Sequence, residues 1–192
     1  MQSVGIYGGS FDPVHLGHLL VAQAAMEELQ LHRLFFIPAA QSPFKPDHQS
    51  APAVARLRFL RLALAGNTNC EVDDQEIRRG GISYTVDTLR GYADRFPGAN
   101  LFYLIGADHA AKLNEWREPA VLAELAEFVV VPRPGGSTTV FPPPFRGGTL
   151  RGFPFGVSSS EIRARVKGGL PIDHLVPSAV AGAIRESGIY RD

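Results

Sequence analysis

The sequence predicts an α/β fold: a doubly wound parallel sheet with helices on both faces and a small C-terminal helical segment. Two observations carry this expectation. Short apolar runs at 4–7, 34–37, 69–72, 101–105 and 128–131 have the length, and mostly the β-branched or aromatic content, of buried strands. Between the first four of them lie stretches of helical period at 17–29, 53–65 and 86–95. Such alternation is the pattern of β-α units, whose right-handed crossovers bring the connecting loops to one rim of the sheet. Gly66 and Gly98 stand where the chain must reverse after the second and third helices. In an open sheet of this kind ligands sit outside the carboxyl ends of the strands, at the point where strand order reverses.

Two segments break the rhythm. Residues 40–52 include Pro43, Pro46 and Pro52, and residues 133–148 combine Pro134, Pro142, Pro143 and Pro144 with four glycines, so both read as irregular surface loops. Either is long enough to close over a ligand. Beyond them, 150–157 is expected to form a last strand, and 158–166 and 177–186 to form helices. No internal repeat is visible, and 192 residues fit one domain that buries roughly 70% of its unfolded surface.

Composition narrows the chemistry. Lys+Arg and Asp+Glu are equal at 19 each, so no net field draws the chain to nucleic acid or to an anionic membrane. Any anion site must be local. The single cysteine, Cys70, excludes an internal disulfide and a multi-cysteine zinc site, suits a reducing compartment, and reads as a small buried hydrophobe. No apolar run approaches the roughly 20 residues a membrane helix needs, and no leader pattern opens the chain, so a soluble cytoplasmic protein is expected. Oligomeric state stays open, a homo-oligomer included.

The most informative stretch is Gly9-Ser10-Phe11-Asp12-Pro13-Val14-His15-Leu16-Gly17-His18, directly after the first strand. A strand running into glycines, a proline-fixed turn and a helix start brings backbone N–H groups and two imidazoles to a helix N-terminus, where anions are stabilised. The H-x-x-H spacing alone would also suit a metal half-site or two satisfied polar groups. No H-E-x-x-H or cysteine companion accompanies it, so no metal site is assigned. Near the other end, Ser158-Ser159-Ser160 precedes a helical run that carries Arg163. Serines there can cap the helix, and Arg163, one turn in, points a planar cation toward an anion held at that end.

Together these stretches resemble a known pattern. The first is similar to the G-x-F-x-P-x-H-x-G-H signature of the nucleotidyltransferase superfamily related to class I aminoacyl-tRNA synthetases. Val157-Ser158-Ser159-Ser160-Glu161-Ile162-Arg163 resembles that superfamily's second motif, I-S-S-T-x-I-R. Gly8-Gly9-Ser10-Phe11-Asp12-Pro13, Ser83-Tyr84-Thr85-Val86-Asp87-Thr88-Leu89, Ile105-Gly106-Ala107-Asp108 and Val131-Pro132-Arg133-Pro134-Gly135 are similar to segments of the bacterial nicotinate-nucleotide adenylyltransferases. The likeness runs from the first strand to the last helix pair. One departure stands out: the family's P-P-H-[KR] after the second strand reads Ser42-Pro43-Phe44-Lys45 here, with Phe44 in the histidine's place.

The resemblance implies a Rossmann-like fold and transfer of an adenylyl group from ATP to nicotinate mononucleotide, a step of NAD biosynthesis, with Mg2+ accompanying ATP. It implies His15, His18 and Arg163 as catalytic groups. Gly8, Gly9, Ser10, Phe11, Gly17, Arg133, Ser158, Ser159 and Ser160 would hold ATP; Lys45, Tyr84, Thr85, Asp108 and Trp116 would hold the acceptor. His18 is expected at the α-phosphate and His15 at the triphosphate, each using a proton available near neutral pH. The same transfer to nicotinamide mononucleotide, and a nucleotide-binding sensor without turnover, are the rival readings.

Overall fold

The computed structural model describes residues 2–44, 49–131 and 140–191. Its six strands, β1 (Ser3–Gly9), β2 (Arg33–Pro38), β3 (Cys70–Val72), β4 (Asn100–Gly106), β5 (Glu127–Val131) and β6 (Gly147–Thr149), form one sheet in the order β3-β2-β1-β4-β5-β6. Every pairing is parallel. The chain winds outward from β1 through β2 to β3, then returns to β4 on the other side of β1 and winds outward again. The order therefore reverses between β1 and β4.

Period-2 alternation explains why the strands read as continuous apolar runs: both faces are covered. On one face Tyr7, Leu34, Phe36, Leu104 and Val129 pack with α1 (Leu16–Glu28), α2 (Ala53–Ala63), α7 (Ser159–Lys167) and α8 (Ser178–Ser187). On the other, Ile6, Phe35, Ile37, Tyr103, Ile105 and Phe128 pack with α4 (Thr85–Arg95) and α6 (Pro119–Leu125). Cys70 is buried in the first of these layers, as a small apolar side chain. Gly66 and Gly98 both take positive φ, 84° and 76°, which a β-carbon would disfavour. Helices α3 (Gln75–Arg79) and α5 (Ala107–Ala110) are short additions before α4 and after β4.

The last strand differs from expectation. Residues 150–157 form no strand; β6 lies just before them, pairing Phe128 with Gly147 and Val130 with Thr149. Gly147 sits so close to the Phe128 carbonyl that a β-carbon could not be accommodated. Downstream, Gly152 at φ 53° and Pro154 interrupt any extended ladder. Among the described residues no helix is long and apolar enough to cross a membrane.

Candidate active site

The crevice at the reversal point opens where β1 and β4 end. A cavity of about 640 Å3 lies there, with Gly8, Ser10, Arg56, Thr85, Gly106 and Trp116 in its wall. Gly8 is required by proximity, since a β-carbon there would collide with the Tyr103 hydroxyl. Beyond Ser10 the chain turns sharply. Phe11 takes a left-handed φ of 46° while its ring is buried to 1% exposure against Tyr7, Phe36 and His18. A bulky residue holds this conformation only when its surroundings over-determine it, and here the ring is the floor under His18. Any contact of Phe11 with ligand would have to come from its backbone.

His15 caps α1 with extended backbone, and its N–H donates to His18 Nδ1 at 3.1 Å. That bond fixes the tautomer: neutral His18 carries its proton on Nε2. The two rings lie 3.8 Å apart between centroids. Gly17 is needed beneath them, because a β-carbon would approach the His15 ring to 2.9 Å. Burial lowers the His15 pKa to about 4, and burial together with the neighbouring His15 pushes that of His18 well below its ordinary value. Both are therefore neutral at pH 7, against the expectation that each holds a titratable proton there; what His18 offers is the Nε2–H of a neutral ring. An anion bound beside them would raise both pKa values.

The start of α7 docks onto this loop. Ser158 caps the helix, its Oγ accepting from Glu161 N–H at 3.2 Å, and Ser159 Oγ donates to the Pro13 carbonyl at 2.9 Å. Arg163 donates to the Asp12 carbonyl at 2.8 Å and to Ser160 Oγ at 3.2 Å, with the Asp12 carboxylate 3.8 Å away. The two stretches singled out at opposite ends of the sequence thus meet in space. Asp12, 1% exposed, is their hub: it also accepts from Tyr190 Oη at 2.7 Å and from Ala51 N–H at 3.2 Å. Arg56, 2% exposed, donates to the Ser10 and Ala51 carbonyls at 2.8 and 3.0 Å and braces the same loop.

Across the crevice Tyr84 caps α4, and Thr85, the first helical residue, donates from Oγ1 to Tyr103 Oη at 3.3 Å. Ser83 ties this turn to the loop after β2, donating its N–H to the Gln41 carbonyl and accepting the Ala40 N–H at Oγ, both at 2.9 Å. Beneath it Glu76 is buried at 4% exposure and accepts from Thr88 Oγ1 at 2.6 Å; desolvation raises its pKa although Thr88 and Ser83 oppose that. Trp116 is 9% exposed, and its indole Nε1 has no hydrogen-bond partner among the described residues. A second cavity of about 210 Å3 adjoins, with Tyr84, Thr85, Trp116 and Arg117 in its wall. The Arg117 guanidinium lies 4.7 Å from the Tyr84 ring centroid.

The structure separates the expected residues into groups. It docks the helix start that bears Ser158, Ser159, Ser160 and Arg163 onto Asp12 and Pro13, next to His15 and His18 in the chain, and it puts Gly8, Gly9, Ser10, Thr85 and Trp116 in the crevice wall, which none of those six lines, with Tyr84 in the wall of the adjoining cavity. Asp108 is exposed on α5 and does not line the crevice; its neighbour His109 does. Lys45 and Arg133 lie outside the described residues. Sequence reasoning passed over Arg56, Glu76, Tyr103 and Tyr190. Arg56 had a signal, being a cation in line with the apolar stripe of Leu57, Phe59 and Leu60 on α2. Among the described residues no cluster of three or more His, Cys, Asp or Glu side chains is arranged to hold a metal ion.

An open parallel sheet with a histidine pair at its first helix start and a serine-arginine helix start against it defines a nucleotidyltransferase architecture. Consistent with that, the family described as cytidylyltransferase-like matches residues 6–165. A protein of Opitutus terrae curated as "Probable nicotinate-nucleotide adenylyltransferase" is 43% identical over 99% of this chain and 98% of its own length. One of the same name from Herpetosiphon aurantiacus is 38% identical, covering 99% of each. The chain belongs to the nicotinate-nucleotide adenylyltransferase family. The fold agrees: the nicotinic acid mononucleotide adenylyltransferase of Plasmodium falciparum, solved in complex with NaAD, superposes with a TM-score of 0.80 at 19% identity, covering 99% of this chain and 98% of that one.

Proposed function

We propose that this chain joins ATP and nicotinate mononucleotide into nicotinate adenine dinucleotide, and that its two site regions divide the work. The mononucleotide phosphate oxygen attacks the α-phosphorus of ATP; the bond from that phosphorus to the bridging oxygen of the β-phosphate breaks, and pyrophosphate leaves. The attacking group is already an anion, so no general base is required. Catalysis then rests on alignment and on donors aimed at developing charge.

The observation that carries this reading is the docking of α7 onto Asp12 and Pro13, which joins both phosphate-type motifs beside the crevice. His18 Nε2–H would donate to the α-phosphate, and His15 to the chain of phosphates beside it. Arg163 would turn its remaining donors to the β- and γ-phosphates and then to the departing pyrophosphate. Lys45 and Arg133 would add cations from the loops that carry them. With no protein cage for a metal among the described residues, Mg2+ would be held mainly by the ATP phosphates, where it shares their charge.

The pyridine ring would stack on Trp116, with its carboxylate toward Tyr84 and Thr85. Arg117 puts a guanidinium next to that pocket, which favours a carboxylate over an amide. Assayed side by side with ATP and Mg2+, nicotinate mononucleotide should give rapid pyrophosphate release and nicotinamide mononucleotide much slower release. Equal rates would remove the acid preference, and tight nucleotide binding with no release would favour the sensor reading.

A further inference from the structure

The departure from the family pattern at residue 44 acquires a place in the structure. Among the described residues four rings surround Trp116, the only tryptophan of the chain. Three of them, Tyr103, His109 and Phe128, meet it nearly edge-on, at 90°, 74° and 84°. Phe44 alone lies at a shallower angle, 41°, with its centroid 5.3 Å from that of the indole. It is also the least held of the four: 47% exposed, on a loop, with its N–H donated to Ser42 Oγ at 3.3 Å. Its ring lines both the larger and the smaller cavity, so it stands where the two join.

We infer that Phe44 is a specificity-determining residue, the second wall of an aromatic slot whose first wall is Trp116, and that the planar ring of the acceptor enters between them. This rests on the assignment of the acceptor ring to Trp116. At 5.3 Å the two walls are in contact. A third ring between them, at a centroid spacing of ~4.5 Å on each side, needs them roughly 9 Å apart. Rotation of a half-exposed side chain about χ1 supplies that displacement, and it also opens the contact of the Phe44 ring with His109, 5.0 Å away between centroids. Entry of the ligand ring then replaces the direct contact between Phe44 and Trp116 with two, one on each face of the ligand ring. An aliphatic or absent side chain at 44 would forfeit one of those contacts, and a histidine would keep it while adding a titratable group.

The test is a comparison of Phe44→Ala, Phe44→Leu and Phe44→Tyr with the native chain, reading KM for each substrate by pyrophosphate release and Trp116 fluorescence during titration with nicotinate mononucleotide. Phe44→Ala and Phe44→Leu should raise KM for the mononucleotide about tenfold, equivalent to ~1.4 kcal/mol, within the range of base-aromatic stacking. KM for ATP should change less than twofold, and Phe44→Tyr should behave as the native chain. An unchanged or lowered mononucleotide KM in Phe44→Ala, or native behaviour of Phe44→Leu, would overturn the inference. A native chain whose Trp116 fluorescence does not respond to the mononucleotide would instead overturn the placement of the ring on Trp116.

Discussion

The Asp12 side, proposed to hold the phosphates, and the Trp116 side, proposed to hold the acceptor, are built on opposite principles. Around Asp12, four chain segments are tied by buried or half-buried polar bonds: the loop after β1, the approach to α2, the start of α7 and the C-terminal tail through Tyr190. Around Trp116 the contacts are mostly between rings, and the one nearest to stacking comes from an exposed loop residue. Donors aimed at a transition state gain from being immobile, because they need no reorganisation when charge develops. A pocket that must admit and release a flat ring gains from a wall that can move. The proposed division of labour follows from which groups each side uses.

The largest effect expected from breaking the comparison is at His18. Its ring sits over Phe11 with a fixed tautomer, so His18→Ala should lower turnover by about 10^3-fold while KM for the mononucleotide changes little. A fall mainly in mononucleotide affinity would place His18 on the acceptor side. Next is the histidine pair's cost in acid. With its folded pKa lowered to about 4, His15 binds protons more readily when unfolded, so its contribution to stability falls as pH drops from about 6.5 toward 4, by roughly 3 kcal/mol in total. Glu76, with its pKa raised, works in the opposite direction as acid is added. The difference in denaturation midpoint between the native chain and His15→Asn isolates the histidine. It should widen in the native chain's favour from pH 4 to pH 7; a constant difference would mean that His15 is not desolvated.

Tyr190→Phe removes a donor from a buried carboxylate and should cost ~2 kcal/mol, or about 4–8 °C in thermal midpoint for a chain of this size. It should slow turnover more than it raises mononucleotide KM, since Asp12 also carries Arg163. Arg117→Ala should have the smallest effect. Its guanidinium is half exposed, so the preference for the acid over the amide mononucleotide should fall by at most about fivefold. A larger loss there would make the acceptor side more rigidly electrostatic than its packing implies.

Much of this was legible in the sequence because the informative residues are local. Gly9 to His18 and Ser158 to Arg163 each spell a helix start, and a helix start has a readable chemistry of glycine, proline, hydroxyl and cation. The strands announced themselves because a sheet covered on both faces needs uninterrupted apolar runs. What stayed hidden was non-local or short. Tyr190 lies 178 residues from Asp12, and nothing near it in sequence reveals that partner. Helices α3 and α5 have five and four residues, too few for a period to register. The run 150–157 misled because its aromatic and β-branched side chains resemble a strand, whereas Gly152 and Pro154 deny it the ladder. At Phe44 the sequence marked a substitution, but only the geometry gave it a neighbour.

The central claim is an adenylyl transfer performed on the rigid side for an acceptor chosen on the mobile side. Incubation with nicotinate mononucleotide and ATP labelled with phosphorus-32 at either the α- or the γ-position tests it most directly. The account predicts that the α-label appears in the dinucleotide, that the γ-label leaves as pyrophosphate, and that both fail together in His18→Ala. Transfer of the γ-label to the mononucleotide, or no transfer from either position, would contradict it.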